Sequence, residues 1–153
     1  MLNGLRLKEN LYLQCVDFVE NRFQIIQNTI NEIQESLTSE TKSSAGDKHE
    51  TGRAMLQLER EKAGNQLAEI QKTKEQLSKI VLSKSSSCIG LGSVVFTNKN
   101  NYFIAISAGE LQVDELVFYA ISPSTPMGQL LMGKIKGDAI NFREQTFQIE
   151  NLC

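Results

Sequence analysis

The sequence has few of the residues on which metal sites, disulfide frameworks and catalytic triads depend. It contains one histidine and three cysteines in 153 residues. The cysteines, Cys15, Cys88 and Cys153, are odd in number and far apart, and no two form a CxxC pair. We therefore expect neither a disulfide framework nor a metal site built on cysteines.

Long apolar runs and an excess of positive charge are also missing. No apolar stretch approaches the ~20 residues that a membrane-spanning helix needs, and the first residues lack the apolar core of a signal peptide. The formal net charge is −2, whereas dedicated nucleic-acid binders usually carry a strong positive field. These absences predict a cytoplasmic protein with no membrane association, and they leave contact with DNA as a secondary option.

The first half of the sequence carries a long heptad pattern. Apolar or aromatic residues recur at spacings of four and three from Tyr12 to Leu37, which is typical of a helix that packs along one seam. A second seam begins at Leu56 and is less regular, because Arg60 and Lys74 occupy two of its positions. The first seam consists of Tyr12, Val16, Val19, Phe23, Ile26, Ile30, Ile33 and Leu37.

These two segments predict an antiparallel coiled-coil hairpin over residues 1–84. We expect the second helix to begin near Asp47 or Glu50 and to end near Leu82. A helix of about 30 residues is about 45 Å long, so a tip near residues 42–53 would lie far from the open end. The hairpin predicts a monomer. The alternative is an adaptor protein whose first seam pairs with another chain.

The apolar period changes in residues 85–153, which we predict to form a small α+β domain. The serine- and glycine-rich run Ser83–Gly92 predicts a linker. A short helix should begin with Thr125 as its cap and Pro126 in its first turn, and it should stop at Gly133. The predicted strands are residues 92–98, 101–108, 115–122, 138–142 and 145–152. We expect the first two to form a hairpin and the last two to pair with each other.

Two carboxylates in the predicted tip have the spacing of a shared helix face. Asp47 and Glu50 are three residues apart where the second helix should begin. One interpretation is a capping box, which also suits the positive end of a helix. The other is that they complete the coordination of a metal ion held by another protein, since Mg²⁺ needs more oxygen ligands than two side chains offer. Spacing alone favours the cap.

The other residues that could take part in catalysis or nucleotide binding are better explained without such a role. His49 lies in a polar turn, where we expect it to be solvated. Cys88 lies in the predicted linker, and no second histidine exists to complete a Cys-His-His condensing site. Gly90 and Gly92 do not complete a nucleotide-binding pattern, so we interpret them as turn residues.

The run Ile121–Phe142 reads ISPSTPMGQLLMGKIKGDAINF. It resembles a signature of the Gre-type transcript cleavage factors, the GreA and GreB family, which is roughly I-S-x-x-S-P-x-x-x-x-L-x-G-K-x-x-G-D-x-V. The matching residues are Ile121, Ser122, Thr125, Pro126, Leu131, Gly133, Lys134, Gly137 and Asp138. The family's hairpin tip reads G-D-x-x-E-N-A-E-Y. Gly46, Asp47 and Glu50 match it, and residues 51–54 depart from it.

The resemblance implies a coiled-coil hairpin followed by an FKBP-like domain. It implies that the C-terminal domain binds RNA polymerase at the rim of the secondary channel, while the hairpin reaches the active centre and the transcript RNA. Asp47 and Glu50 would be the catalytic carboxylates, acting in trans on an Mg²⁺ shared with the polymerase. The chain would have no cofactor of its own and would not be an enzyme by itself. The implied partner-binding residues are Ser122, Pro126, Gly133, Lys134, Gly137 and Asp138.

The departures at the tip keep a second function open. Relatives of this architecture include proteins that bind the secondary channel and inhibit polymerase without stimulating cleavage. Thr51, Gly52, Arg53 and Ala54 replace the Asn-Ala-Glu-Tyr part of the family's tip. An FKBP-like fold also suggests prolyl isomerase activity, but the sequence shows no matching set of aromatic pocket residues, and a fold does not imply its best-known function.

Overall fold

A computed structural model describes residues 3–42 and 46–153, without the side chains of residues 40–49. Two long helices, α1 (Gly4–Lys42) and α2 (Gly46–Ser78), are followed by six strands and the short helix α3 (Pro126–Leu131). The fold is therefore α+β, as predicted. The strands are β1 (Val94–Thr97), β2 (Asn101–Ile104), β3 (Gly109–Val113), β4 (Leu116–Ile121), β5 (Ala139–Phe142) and β6 (Gln145–Leu152).

Contacts divide the chain into two compact units. We call residues 19–74 the helical unit; residues up to 18 together with residues 75–153 form the sheet unit. The predicted boundary at residue 84 follows the change of apolar period along the chain. The contacts instead group the first part of α1 and the last residues of α2 with the sheet. Across residues 3–42 and 46–153, no helix is long and apolar enough to cross a membrane.

The predicted seam of α1 is buried in the helical unit at every position except Phe23, which is half-buried. Its aliphatic side chains are each at most 9% exposed, whereas their neighbours along the helix are mostly polar and solvent-exposed. The seam of α2 is less complete, since Ala63 and Ile70 are buried and Leu56 and Leu67 are half-buried. The sequence pattern therefore predicted this packing correctly. The buried positions of α1 are Val19, Ile26, Ile30, Ile33 and Leu37.

Lys74 occupies a seam position of α2 because α1 supplies it with two favourable contacts. Its Nζ lies 2.8 Å from a carboxylate oxygen of Glu20 and 4.5 Å from the centroid of the Phe23 ring. A lysine placed in this way keeps its charge solvated and paired while its stem covers apolar surface. At the other end of the unit, Arg53 contacts Leu37. The two pairings show that α1 and α2 run antiparallel within one chain.

In the sheet unit, the buried face of α1 differs by one residue from the predicted seam. Leu11 and Cys15 are fully buried, whereas Tyr12 and Val16, which the heptad pattern selected, are only half-buried. The prediction is wrong for these two residues because heptad spacing assumes a partner helix. Here α1 contacts the sheet, and Gln14 Nε2 donates a hydrogen bond of 2.9 Å to a backbone carbonyl of β3.

The end of α2 shows a similar shift. The helix stops at Ser78, earlier than the predicted Leu82. Val81 continues the spacing of the second seam but is 60% exposed, and Ile80 is buried in its place. Because the chain has left the helix by then, helical spacing no longer determines which side chain points inward.

The six strands form one mixed sheet in the order β3-β4-β2-β1-β6-β5. Strands β2 and β4 are parallel and the other neighbouring pairs are antiparallel. The predicted hairpins β1–β2 and β5–β6 are confirmed, whereas the edge strand β3 was not predicted. β3 is half-solvated, and it begins with Gly and Glu, which strands disfavour. A core cluster of this unit comprises Ile89, Val95, Tyr102, Ile104, Met127, Leu131, Ile140, Phe147 and Ile149.

The predicted linker Ser83–Gly92 is irregular, but its second half is held by the sheet unit. Ile89 is buried, and its N–H donates a 2.8 Å hydrogen bond to the carbonyl of Lys134. The carbonyl of Ile89 accepts a second 2.8 Å bond from the N–H of Gly133. The linker therefore packs directly against the segment that follows α3.

We predict that Gly128→Ala strongly destabilises the sheet unit. A Cβ at Gly128 would overlap the backbone oxygen of Ser122, which cannot move away as a flexible side chain can. Overpacking of this kind costs about 1–3 kcal/mol. Thermal unfolding would measure the loss.

Gly64→Ala is the matched control, because its Cβ would meet only the mobile end of Arg60, at 3.1 Å. We expect it to stabilise α2 by up to about 1 kcal/mol. Equal unfolding temperatures for the two variants would contradict this account of Gly128.

We also predict that the protein is a monomer in solution. The α1 seam and Lys74 find their partners within the same chain, so pairing with a second chain would require opening these contacts. Light scattering at micromolar concentration should give the mass of one chain. A mass of two chains would favour the adaptor hypothesis instead.

Candidate functional site

The N-terminal part of the signature organises the start of α3. Thr125 Oγ1 accepts a hydrogen bond of 3.1 Å from the N–H of Gly128 and donates one of 2.7 Å to the carbonyl of Ser122. Pro126 follows as the first helical residue, where its missing N–H costs no intrahelical bond. The predicted cap and first turn are confirmed. Ser122 Oγ lies 2.9 Å from Ser124 Oγ in the same turn.

The C-terminal part of the signature shapes the turn between α3 and β5. Gly133 and Gly137 have φ angles of 80° and 95°, a region that other residues rarely adopt. The Asp138 carboxylate accepts a hydrogen bond of 2.9 Å from the N–H of Ile135. Leu131 is fully buried in the core. These identities are therefore required by the local backbone and packing.

The partner-binding residues implied by the resemblance form two groups in the structure. Ser122 and Pro126 lie at the start of α3, and the other four, Gly133, Lys134, Gly137 and Asp138, lie in the turn after it. Most of these residues stabilise the local backbone, as described above. Their binding of a partner remains a prediction.

Sequence reasoning did not single out the exposed apolar side chains of the same segment. Leu130, Met132 and Ile135 are 36%, 37% and 49% exposed. The signal was present in the sequence, because a helix of six residues cannot bury every apolar side chain in the run LLMGKI. Any partner that binds the signature segment would meet these side chains as well as Lys134.

The tip of the hairpin is more helical than predicted. Helix α1 continues to Lys42 and α2 begins at Gly46. Asp47 is thus already within the first turn, one turn before Glu50, rather than preceding the helix as an N-cap. The Asp47 and His49 side chains lie outside the described part of the structure. Glu50 is described and is exposed to solvent.

Arg53 connects the start of α2 with α1. Its Nη1 donates a hydrogen bond of 3.2 Å to the carbonyl oxygen of Leu37, and its side chain is half-buried. Leu37 is the last buried seam residue of α1. In the sequence Arg53 is only a departure from the family pattern, because a contact between two helices cannot be inferred from spacing along one of them.

The described residues contain no group of three or more His, Cys, Asp or Glu side chains that could hold a metal ion. The tip nevertheless offers the donor type that Mg²⁺ prefers, since Glu50 presents an exposed carboxylate one turn from Asp47. Two carboxylates supply fewer ligands than an octahedral ion requires. An ion shared with another protein stays a prediction for these two residues.

The three cysteines lie in different environments. Burial raises the pKa of the Cys15 thiol to about 12. Burial also raises the pKa of Cys153, and the nearby Lys8 ammonium partly offsets that effect. Cys88 is exposed, and its Sγ lies 3.5 Å from the hydroxyl of Ser86. The side-chain partner of Cys88 is thus a hydroxyl group.

Comparison with known proteins gives limited guidance. No family model matches the chain, and no curated protein matches it. Among solved structures it is similar to one described as the structure of the transcription factor Gfh1, with 21% sequence identity. That similarity covers 86% of this chain and 92% of the other, with a TM-score of 0.34. A likeness at this level supports no functional conclusion.

We predict that the thiols react in the order of their exposure. At about pH 8, a disulfide reagent such as DTNB should modify Cys88 rapidly and leave Cys15 unmodified until the protein unfolds, because the thiolate is the reactive form and burial suppresses it. Raising the pH to about 9 should not expose Cys15 to reaction. The variant Cys88→Ser should lose the rapid phase. A rapid phase that survives in this variant would contradict the assignment.

Proposed function

We propose that the chain is a transcription elongation factor that binds RNA polymerase and stimulates cleavage of backtracked transcripts. The observation that carries the proposal is the exposed carboxylate of Glu50, one turn from Asp47 at the start of α2, in a hairpin whose helices pair within one chain. The match of Ile121–Phe142 to the Gre-type signature supports it. Such a factor would work in the cytoplasm.

In this proposal the polymerase provides the catalytic centre and the chain provides two carboxylates. Asp47 and Glu50 would help to hold an Mg²⁺ shared with the polymerase, and Glu50 would orient the attacking water. The ion supplies Lewis-acid chemistry and lowers the pKa of bound water. The chain is then not an enzyme by itself, has no cofactor of its own, and contacts the transcript only at the tip.

The signature segment would make the main contact with polymerase. The cap at Thr125 and the turn at Gly133 and Gly137 hold this segment in one conformation. Within it, Lys134 and the exposed apolar side chains would supply the binding surface. This assignment separates the roles of the two regions: changes in the segment should alter affinity, and changes at the tip should alter the rate of cleavage.

Inhibition of polymerase is the second candidate, and one observation favours it. Arg53 brings a guanidinium group to a tip whose family pattern has glutamate at this position. A tip with this charge could enter the channel and block synthesis without supporting hydrolysis. The two functions share the binding step and differ in the outcome for the transcript.

We predict that wild-type protein increases RNA cleavage in stalled elongation complexes and that Asp47→Ala with Glu50→Ala removes the effect. Groups that position water or transfer protons contribute about 10²–10⁴-fold to a rate, so we expect a loss of at least about 10²-fold. Cleavage should be measured over a range of factor concentrations, which separates affinity from rate. The double variant should still compete with wild type for polymerase.

The matched control is Glu59→Ala with Glu61→Ala, which removes two exposed carboxylates further along α2. It should cleave at the wild-type rate. If wild-type protein gives no more cleavage than buffer, the proposal is wrong. If wild-type protein gives no additional cleavage and slows RNA synthesis, inhibition becomes the better description of its function.

A further inference from the structure

We propose that Arg53 is a positioning residue for Glu50, an inference that rests on the proposed function. The direct observation is the 3.2 Å hydrogen bond from Arg53 Nη1 to the Leu37 carbonyl, which links the second turn of α2 to α1. The side chain that makes this bond is half-buried. It thus belongs partly to the packed interior of the helical unit and partly to its tip.

The start of α2 needs such a link because its own sequence is a poor helix former. The first seven residues, GDKHETG, include Gly46 and Gly52, and glycine in a helix costs about 1 kcal/mol relative to alanine. Thr51 is β-branched, which further lowers helix propensity. The first four N–H groups of any helix also lack intrahelical partners. Helical geometry at Glu50 therefore depends on contacts with α1.

Arg53 is suited to this link both by position and by charge. Leu37 is 9% exposed and ends the buried seam of α1, so its carbonyl is held by the packed part of the hairpin. A hydrogen bond with a charged donor is also stronger than one between neutral groups. The bond therefore fixes the start of α2 to a rigid point.

Glu50 lies three residues before Arg53, and residues with this spacing are neighbours on a helix surface. Fixing the backbone at Arg53 consequently fixes the position of the Glu50 Cα atom one turn away. A displacement of about 1 Å at a catalytic group can reduce a rate by about 10²-fold. The arginine thus acts through Glu50 and need not touch the transcript or the ion.

The test compares Arg53→Met, which keeps an unbranched flexible stem but cannot donate, with Arg53→Lys, which can donate to the Leu37 carbonyl. The control is Arg60→Met, which removes another half-buried arginine two turns further along α2. Each variant is assayed by cleavage in stalled elongation complexes over a range of factor concentrations. Amide hydrogen exchange of residues 46–53 is measured on the free protein.

We expect Arg53→Met to lower the cleavage rate at saturating factor by about tenfold or more, with the half-saturating concentration unchanged within about twofold. Arg53→Lys should recover most of the rate, and Arg60→Met should resemble wild type. Exchange of residues 46–53 should be faster in Arg53→Met. Because Arg53 acts through Glu50, adding Arg53→Met to Glu50→Ala should cause no further loss.

Three results would overturn the inference while leaving the proposed function intact. The first is an Arg53→Met variant that cleaves at the wild-type rate. The second is a changed half-saturating concentration with an unchanged saturating rate, which would make Arg53 a contact with the polymerase. The third is a full additional loss in the double variant. If wild-type protein itself gives no cleavage, the proposed function fails first and the positioning role fails with it. Should Arg53→Met not fold, Arg53→Leu, which also lacks a donor, replaces it with the same expectations.

Discussion

The burial of branched apolar side chains along α1 is the interaction on which the helical unit depends. Val19, Ile26, Ile30, Ile33 and Leu37 are nearly inaccessible to solvent, and each such side chain contributes about 1.5–3 kcal/mol when it leaves water. Helix α2 offers a weaker seam with charged residues in it. The regular seam of α1 therefore determines the register, and α2 adapts to it through polar contacts at both ends.

Those polar contacts also connect stability with the candidate site. The Lys74 contact with Glu20 and Phe23 lies at one end of the helical unit, and the Arg53 contact with Leu37 lies toward the tip. Both contacts place a cation of α2 against α1. Contacts between cations of α2 and groups of α1 therefore also hold the first turns of α2, where the candidate carboxylates lie.

In the sheet unit, the signature consists largely of residues that the backbone requires. Glycines with positive φ, a threonine cap and an aspartate that closes a turn hold the segment around α3 in one shape. Such residues can be predicted from sequence because each has a local role. For the exposed apolar side chains, the sequence indicates only that the short helix cannot bury them all, and the tertiary structure shows which of them the core leaves uncovered.

The sequence alone determined the α+β class, the long antiparallel helices, the hairpins β1–β2 and β5–β6, and the cap of α3, because each follows from periodicity or turn chemistry within a short stretch. Tertiary structure decided the rest. It moved the buried face of α1 onto Leu11 and Cys15, added the edge strand β3, and brought Arg53 to Leu37. These features depend on which surfaces meet across distant parts of the chain, and spacing along one helix or strand carries no information about its partner.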